Sequence, residues 1–436
     1  MNFTEALTYL NSLGYELSVK KFGLENTFKL LEALQNPEKN YLKVQIAGTN
    51  GKGSVCAFLD AVCQSAGIKT GLYTSPHLIS VTERIKISGR EISQEDFARH
   101  ATRIRKISEN LVETGELSAL PTFFEQVTAI ALSYFAEEKV EIAILETGLG
   151  GRFDATTAAN AEIVALTPID YDHQDILGNS LAEIASEKAA IIRAGVKAVI
   201  APQKEEANQV IVKQCKQTNV LPVENNCQHF EENDNEIVFR TKKEVYLAEG
   251  MNMEGEHQRQ NACIAINLAE VLIENFGFPI SAFDISKGLE NAKHKGRLEW
   301  RWFGNTRILF DGAHNVAGAK TLSDYLRKYH AEASITMIFG SMRDKNLSEI
   351  AEILFPLAEN LILTKPDNPR SEEVQDLKKY AEKVIENARI FPVEDVPDAV
   401  DSAIQITSTY SATKRAFICV TGSLYLVGDV QKILEA

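Results

Sequence analysis

The sequence predicts two α/β domains built on mostly parallel sheets, and three observations carry that prediction. Short apolar runs with strand character, at 41–46, 140–145 and 163–166, alternate with helical periodicities, the order that a parallel sheet covered by helices requires. The alternation pauses in the polar stretch Ala292-Lys293-His294-Lys295-Gly296-Arg297 and restarts at Leu298. The chain also has 436 residues, beyond the size at which one hydrophobic core keeps growing. The expected domains are therefore 1–295 and a smaller 296–436, joined by that stretch as a linker.

Taken in order, Thr4 is placed to cap a short amphipathic helix ending near Leu13, and helical spacing returns over 24–35 until Asn36-Pro37 stops it. Phe22-Gly23-Leu24-Glu25 between them reads as a loop. The strand at 41–46 then runs into Ile46-Ala47-Gly48-Thr49-Asn50-Gly51-Lys52-Gly53-Ser54, and a helix follows over 55–66. A glycine-rich turn between a strand and a helix is where anions bind. Glycine permits positive φ and close backbone approach, while the helix N-terminus offers free N–H groups and the positive end of its dipole. Lys52 adds a cation, and Ser54 a hydroxyl within reach of a phosphate-bound Mg²⁺. The common pattern G-x-x-x-x-G-K-[ST] has glycine where Ile46 stands, so the loop is a variant. The first domain is accordingly read as P-loop NTPase-like.

A second strand at 69–74 leads into Ser75-Pro76-His77-Leu78, and the alternation over 82–87 closes at Ser88-Gly89 as a hairpin signal. Helices are expected over 94–113 and 123–137, the second preceded by Pro121-Thr122. The strand at 140–145 ends on Glu146 before Gly148-Leu149-Gly150-Gly151-Arg152, and the run at 163–166 leads to Asp170-Tyr171-Asp172-His173. A helix over 180–193 carries Lys188, residues 224–247 read as a β-rich appendage, and 256–276 as a long helix. Strands near 308–310, 336–339, 360–363 and 417–420 make the second domain Rossmann-like. Ligands of such sheets gather beyond the carboxyl ends of the strands, so the phosphate loop, Ser75, Glu146 and His173 are expected to share one crevice.

Composition narrows the class. Hydrophobic residues at 44% and charged residues at 24% describe an ordinary globular chain. A net charge of −14 lacks the basic footprint of a nucleic-acid surface, so any anion site is local. No run of about 18 apolar residues suggests a membrane span, and MNFTEALTYL lacks a basic leader, so a cytoplasmic location is expected. The cysteines at 56, 63, 215, 227, 263 and 419 show neither C-x-x-C pairing nor zinc spacing, and scattered reduced thiols are the expectation.

Single residues can also be read as structure. Glu146 could be a strand-terminal acid in solvent, but the glycines after it keep the backbone open around an ion or phosphate. A Mg²⁺ ion keeps several waters and needs only one or two protein oxygens beside phosphates, which Glu146 and Ser75 could supply. His173 lies among Asp170, Asp172 and Asp175, which suits a solvated loop histidine as well as a metal ligand. Lys188, on the apolar side of its helix, would ordinarily extend outward to water.

Several strings recur together and in order: Gly48 to Ser54, Ser75-Pro76-His77-Leu78 with Glu83-Arg84-Ile85, Phe123-Phe124-Glu125, Glu146 to Arg152, Asp172-His173, Glu187-Lys188-Ala189, His294 to Arg297 with Leu298-Glu299, Asp311-Gly312-Ala313-His314-Asn315 and Thr421-Gly422-Ser423-Leu424-Tyr425. As a set, spanning most of the chain, they resemble the folylpolyglutamate synthase/dihydrofolate synthase family of the Mur ligase superfamily. The resemblance implies that Gly48, Thr49, Asn50, Gly51, Lys52, Gly53 and Ser54 hold the ATP phosphates. It implies that Asn261 reads the adenine, Arg297 reaches the phosphates and Asp311 the ribose. Ser54, Ser75 and Glu146 would serve one Mg²⁺, and His173 a second, bridged by Lys188 as its CO₂ adduct. The apolar neighbours Ile184 and Ile192 favour the uncharged amine that such an adduct needs. Thr122, Phe123, Phe124 and Glu125, with Phe153, Asp154 and Ala155, would border the pterin; His314 and Ser423 would sit near the incoming glutamate. The sequence departs from the family pattern at Ala190, where glycine is common, and at Val316, where proline is common.

The implied activity is an ATP-dependent ligase, a monomer, that joins L-glutamate to dihydropteroate, to the glutamate tail of reduced folates, or to both. A carboxylate is a poor acyl donor because oxide would have to leave, so ATP first converts it to an acyl phosphate that the glutamate amine attacks. Two Mg²⁺ ions, Lys52 and Arg297 would neutralise the transferring group. Lys52, Lys188 and His314 are the residues expected to carry the chemistry. The rival is a Mur-type ligase of UDP-sugar cell-wall precursors, which would normally carry a further N-terminal domain before the loop. A nucleotide-gated P-loop switch is a third possibility, but it does not call for a second domain with an Asp311-Gly312-Ala313-His314-Asn315 string.

Overall fold

The computed structural model describes residues 1–14, 23–224, 227–233, 236–410 and 415–435. Phe22 of the expected loop and parts of the expected appendage fall outside the described residues. The chain divides into two compact units. One comprises 1–170, 174–252 and 259–292, and the other 171–173, 253–258 and 293–436. The second thus takes in two short pieces from far up the chain, which no reading of sequence alternation would reveal.

Among the described residues, the main sheet of the first unit is built from β1 (Leu42–Ala47), β2 (Thr70–Tyr73), β3 (Ile85–Ile87), β4 (Arg90–Glu91), β5 (Ile142–Glu146), β6 (Ile163–Leu166), β7 (Lys197–Ile200) and β8 (Val223–Glu224). They form one sheet in the order β4-β3-β2-β5-β1-β6-β7-β8. Six of them, from β2 to β8, run parallel, and the β3–β4 ribbon is antiparallel. β5 and β6 are buried along their whole length, as strands covered on both faces must be. The helix Phe123–Glu137 shows why: Thr122 and Glu125 form a reciprocal cap at its start, and every residue from Phe123 to Phe135 is buried. A polar face was not needed, because the helix sits inside its unit.

Three local expectations are corrected. The stretch before β3 is a 3-10 turn, Val81–Arg84, because Ser80 and Glu83 satisfy each other's backbone donors there instead of extending a strand. The helix carrying Lys188 is Leu181–Ala189, shorter than the expected 180–193. β8 belongs to the main sheet, and the separate appendage is β9 (Gln228–Asn233), β10 (Glu236–Arg240) and β11 (Val245–Glu249). The expectation of reduced thiols also fails for one pair: Cys227, just before β9, is bonded to Cys263 of the helix Glu256–Phe276, with Cα atoms 5.4 Å apart. The two lie 36 residues apart in sequence, so their proximity is created only by folding. Cys56, Cys63, Cys215 and Cys419 are free and buried.

The second unit holds β12 (Glu299–Phe303), β13 (Thr306–Phe310), β14 (Ser334–Phe339), β15 (Asn360–Leu363), β16 (Ile390–Pro392) and β17 (Ala416–Thr421), in the order β12-β13-β17-β14-β15-β16. All neighbours are parallel except the β12–β13 hairpin. Both units are therefore α/β with mostly parallel sheets. No helix among the described residues is long and apolar enough to cross a membrane.

Candidate active site

In the first unit, the register of β1 with its neighbours decides what meets at the phosphate loop. Ile46 pairs with Glu146 of β5 and with Ala165 of β6, so the loops after all three strands leave the sheet together. Gly48 has φ +148° and Gly51 φ +88°. A Cβ at Gly48 would lie 1.9 Å from Thr167 Oγ1, and one at Gly51 would lie 2.4 Å from Asn261 Oδ1. Both positions need glycine on two counts, conformation and space. The loop is anchored by Thr49, whose N–H donates to the Pro168 carbonyl at 3.1 Å and whose hydroxyl meets the carbonyl and the N–H of Asp170, each at 3.0 Å.

Two lysines converge on this loop. Lys52 Nζ donates to the carbonyls of Gly48 at 3.2 Å and Thr49 at 3.1 Å, and the buried Lys188 Nζ donates to the same Gly48 carbonyl at 2.8 Å. Lys188 does not extend to water, because its ammonium is spent on the backbone of the loop. Gly51 begins the helix Lys52–Ser65 in left-handed conformation, and Ser54 is buried in its first turn. Asn261, from the helix Glu256–Phe276 much later in the chain, packs its amide on Gly51.

Glu146 is buried at the end of β5 and accepts the Ser75 N–H at 3.0 Å, so the two expected metal-site residues are neighbours. The charge of Glu146 is felt at Cys56, whose thiol is pushed well above its ordinary range by burial and then by Glu146, with Lys52 opposing. Among the described residues no cluster of three or more His, Cys, Asp or Glu side chains is arranged to hold an ion. The expected donors near the loop, Ser54, Ser75 and Glu146, are oxygens, the atoms that a hard cation shared with phosphates prefers.

The residues expected beside a pterin divide into exposed and internal ones. Phe153 is 46% exposed, whereas Phe123, Phe124 and Ala155 are buried. Glu125 is engaged within the fold: it accepts from Thr122 N at 2.7 Å and from Thr27 Oγ1 at 3.1 Å. Asp154 is buried too, and accepts from Leu149 N at 2.8 Å and Thr156 N at 3.0 Å, which holds the glycine-rich turn after Glu146 in shape. Burial pushes its carboxyl up, and these hydrogen bonds oppose the shift.

In the second unit, Asp311 closes β13. It is buried, accepting from Leu298 N and Ala313 N at 3.0 Å each. Arg297 Nη1 reaches the Gly312 carbonyl at 3.4 Å, and His314 Nδ1 meets the same carbonyl at 2.8 Å. Ser423 is buried at the start of the helix Leu424–Glu435 and accepts from Tyr425 N at 3.1 Å. A Cβ on Gly312 would lie 2.2 Å from Leu424 Cδ2, so the loop of Asp311 and His314 packs directly on that of Ser423.

His173 belongs to this unit and has φ +50°, a left-handed conformation uncommon outside glycine. The neighbouring Asp172 accepts from Lys345 Nζ at 2.7 Å and Asn315 Nδ2 at 3.1 Å, with His314 Nε2 at 3.6 Å. Burial would raise the Asp172 carboxyl, but His314, His173 and Lys345 outweigh it and hold the group well below the usual range.

Comparison with known proteins shows the family and the fold. Residues 46–269 match the Mur ligase middle domain, and residues 296–424 match the Mur ligase glutamate ligase domain. A dihydrofolate synthase/folylpolyglutamate synthase of Bacillus subtilis is 34% identical over 95% of each chain. The chain belongs to the folylpolyglutamate synthase/dihydrofolate synthase family. A folylpolyglutamate synthase of Mycobacterium tuberculosis, solved with ADP and AMPPCP, superposes with a TM-score of 0.90 at 28% identity, covering 100% of this chain and 99% of that one. The bifunctional synthase of Yersinia pestis, solved with AMPPNP and a manganese ion, gives a TM-score of 0.85 at 26% identity over 100% and 98% of the two chains.

Within this family member, reading the sequence missed the partners that hold the expected residues in place. Thr167 and Asp170 brace the phosphate loop, and Asp172 and Lys345 brace His314. Lys345 sits in Arg343-Asp344-Lys345-Asn346, which reads as a solvated charged turn. Only its burial, with 7% of the side chain exposed, distinguishes it.

Proposed function

We propose that this ATP-dependent ligase joins L-glutamate both to dihydropteroate and to the glutamate tail of reduced folates. The observation that supports the site most directly is the convergence of Lys52 and Lys188 on the Gly48 carbonyl of the phosphate loop. Lys52 supplies the glycine-rich loop with a cation for a polyphosphate, in a protein whose net charge of −14 would otherwise repel it, and Lys188 lies at the same carbonyl, where its carbamate would meet a metal ion bound to that polyphosphate.

In this reading Gly48 to Ser54 cradle the ATP phosphates, Asn261 borders the adenine side and Arg297 with Asp311 serves the nucleotide from the second domain. Ser54, Ser75 and Glu146 would hold one divalent ion and His173 a second; such an ion neutralises the phosphates and the transferring group. Lys52 and Arg297 share that neutralisation as the folate carboxylate attacks the γ-phosphorus and ADP leaves. His314 and Ser423 orient the incoming glutamate, whose amine displaces phosphate from the acyl phosphate and loses a proton. Thr122, Phe123 and Phe124 form the wall beside the pterin, with Glu125, Asp154 and Ala155 supporting it from inside and Phe153 at its rim.

Lys188 takes part as its carbamate: the ammonium first gives up a proton, the uncharged amine attacks CO₂, an N–C bond forms as one C–O π bond breaks, a second proton leaves the nitrogen, and an anionic pair of oxygens stands where the cation was. The functional division follows 1–295 and 296–436, and the enzyme acts as a cytoplasmic monomer.

The test is turnover by the purified protein with ATP, L-glutamate and, separately, dihydropteroate or tetrahydrofolate. ADP formation that requires glutamate and occurs with both acceptors is expected. Turnover with only one acceptor would reduce the proposal to a single activity, and turnover with a UDP-linked sugar acid alone would replace it with the cell-wall reading.

A further inference from the structure

Lys345 is a nearly buried cation that the proposed reaction leaves unused. Its ammonium lies 2.7 Å from Asp172 Oδ1 and 3.4 Å from Asp344 Oδ2, with only 7% of the side chain exposed. Asp172, itself 9% exposed, receives His173 N on the same Oδ1 at 3.0 Å, while its Oδ2 faces Asn315 Nδ2 at 3.1 Å and His314 Nε2 at 3.6 Å. The other nitrogen of His314 is engaged by the Gly312 carbonyl at 2.8 Å. The imidazole is thus hydrogen-bonded at one nitrogen by the backbone of its own loop and faces one oxygen of Asp172 with the other.

Three segments far apart in sequence meet in this cluster: 171–173, the loop after β13, and the loop after β14. Asn315 has a second duty, since its Oδ1 caps the helix Val316–Tyr329 through Gly318 N at 2.8 Å. A buried lysine–carboxylate pair costs desolvation at both ends, and replacing such a pair by apolar groups is often neutral or stabilising. Its use here is orientation. With Oδ1 occupied by Lys345, the carboxylate can turn only Oδ2 toward His314 and Asn315.

We propose that Lys345 is a positioning residue for the ligase reaction, fixing the His314 imidazole through Asp172. This rests on the reading that His314 faces the incoming glutamate. Lys345 itself does not touch substrate in this proposal; it sets the angle at which His314 is presented. A ring misplaced by about an ångström costs up to roughly 100-fold in rate, so losing the clamp is expected to cost about 10- to 100-fold in kcat.

The test compares Lys345→Met, Lys345→Arg, Asp172→Asn, the double variant Lys345→Met/Asp172→Asn and His314→Ala in the full chain. Steady-state kcat and the KM for glutamate are measured, together with the ring proton and nitrogen resonances of His314 in the substrate-free protein. Lys345→Met should lower kcat about 10- to 100-fold with glutamate KM changed less than about threefold. Lys345→Arg should recover most of kcat, and the double variant should be no slower than Asp172→Asn alone. The His314 ring resonances should move in Lys345→Met without any substrate present. A raised glutamate KM at unchanged kcat, or losses that multiply in the double variant, would make Lys345 a direct substrate contact and overturn the proposal. Unmoved ring resonances would overturn it as well. If Lys345→Met does not fold, Lys345→Arg against the charge-free double variant decides the same question. Full activity of His314→Ala would sink the placement of His314, and the resonance shift alone would then decide whether Lys345 orients the ring.

Discussion

The ammonium of Lys188 lies 2.8 Å from the carbonyl oxygen of Gly48, across 140 residues of sequence. A helix-terminal lysine is thereby tied to the first residue of the phosphate loop. If this nitrogen carries a carbamate during turnover, Lys188→Ala should lose most activity, by about 100-fold or more, while ATP still binds the loop. Short carboxylic acids should restore part of the loss by supplying the missing oxygens. Wild-type turnover in the variant, or an unmodified amine by mass in the nucleotide-bound enzyme, would remove the carbamate from the mechanism.

Lys52 hydrogen-bonds within its own loop, to Gly48 O and Thr49 O. Lys52→Ala should therefore cost at least about 100-fold in ATP turnover and less than about 1 kcal/mol of stability. Calorimetry and an ADP-release assay on the same preparation check both halves. Normal turnover in a protein of reduced melting temperature would show that the residue is structural.

The Cys227–Cys263 bond ties the start of β9 to the helix that carries Asn261, two residues before Cys263. Reduction, or Cys227→Ser, should loosen this attachment, with a loss of about 2–4 kcal/mol at most for a closed loop of this length. Peptide-resolved hydrogen exchange should show faster exchange in β9 to β11 and the facing part of the helix. Identical exchange with and without reductant would mean that the β-appendage is held by its packing alone.

His257 gives stability a pH dependence. Burial, and then the charge of Arg297, lower its pKa from 6.5 to about 4. Because the folded value lies below the unfolded one, the folded state prefers the neutral ring. Its contribution is fully present above about pH 6.5 and declines as the pH falls toward 4, by up to about 3 kcal/mol. His257→Gln should flatten the stability profile across that window. An NMR titration placing the ring near 6.5 in the native protein would contradict the account.

Much was legible in the chain itself. Glycines at 48 and 51, a lysine at 52 and a strand-to-helix change around them announce a phosphate loop, because only glycine satisfies that backbone and only a helix start offers so many free N–H groups. The apolar runs at β1, β5 and β6 announce a parallel sheet for the equally local reason that doubly covered strands need no polar face. What only the tertiary structure decided are pairings between distant segments. Lys188 meets Gly48, Cys227 bonds Cys263, and Lys345 clamps Asp172, although each reads by itself as an ordinary lysine or cysteine on a solvated or amphipathic stretch. Residue type and spacing express backbone preference and burial period. They do not express which side chain meets which across 36 to 173 residues, because strand order and register set that distance, and they come into being only when the sheets close.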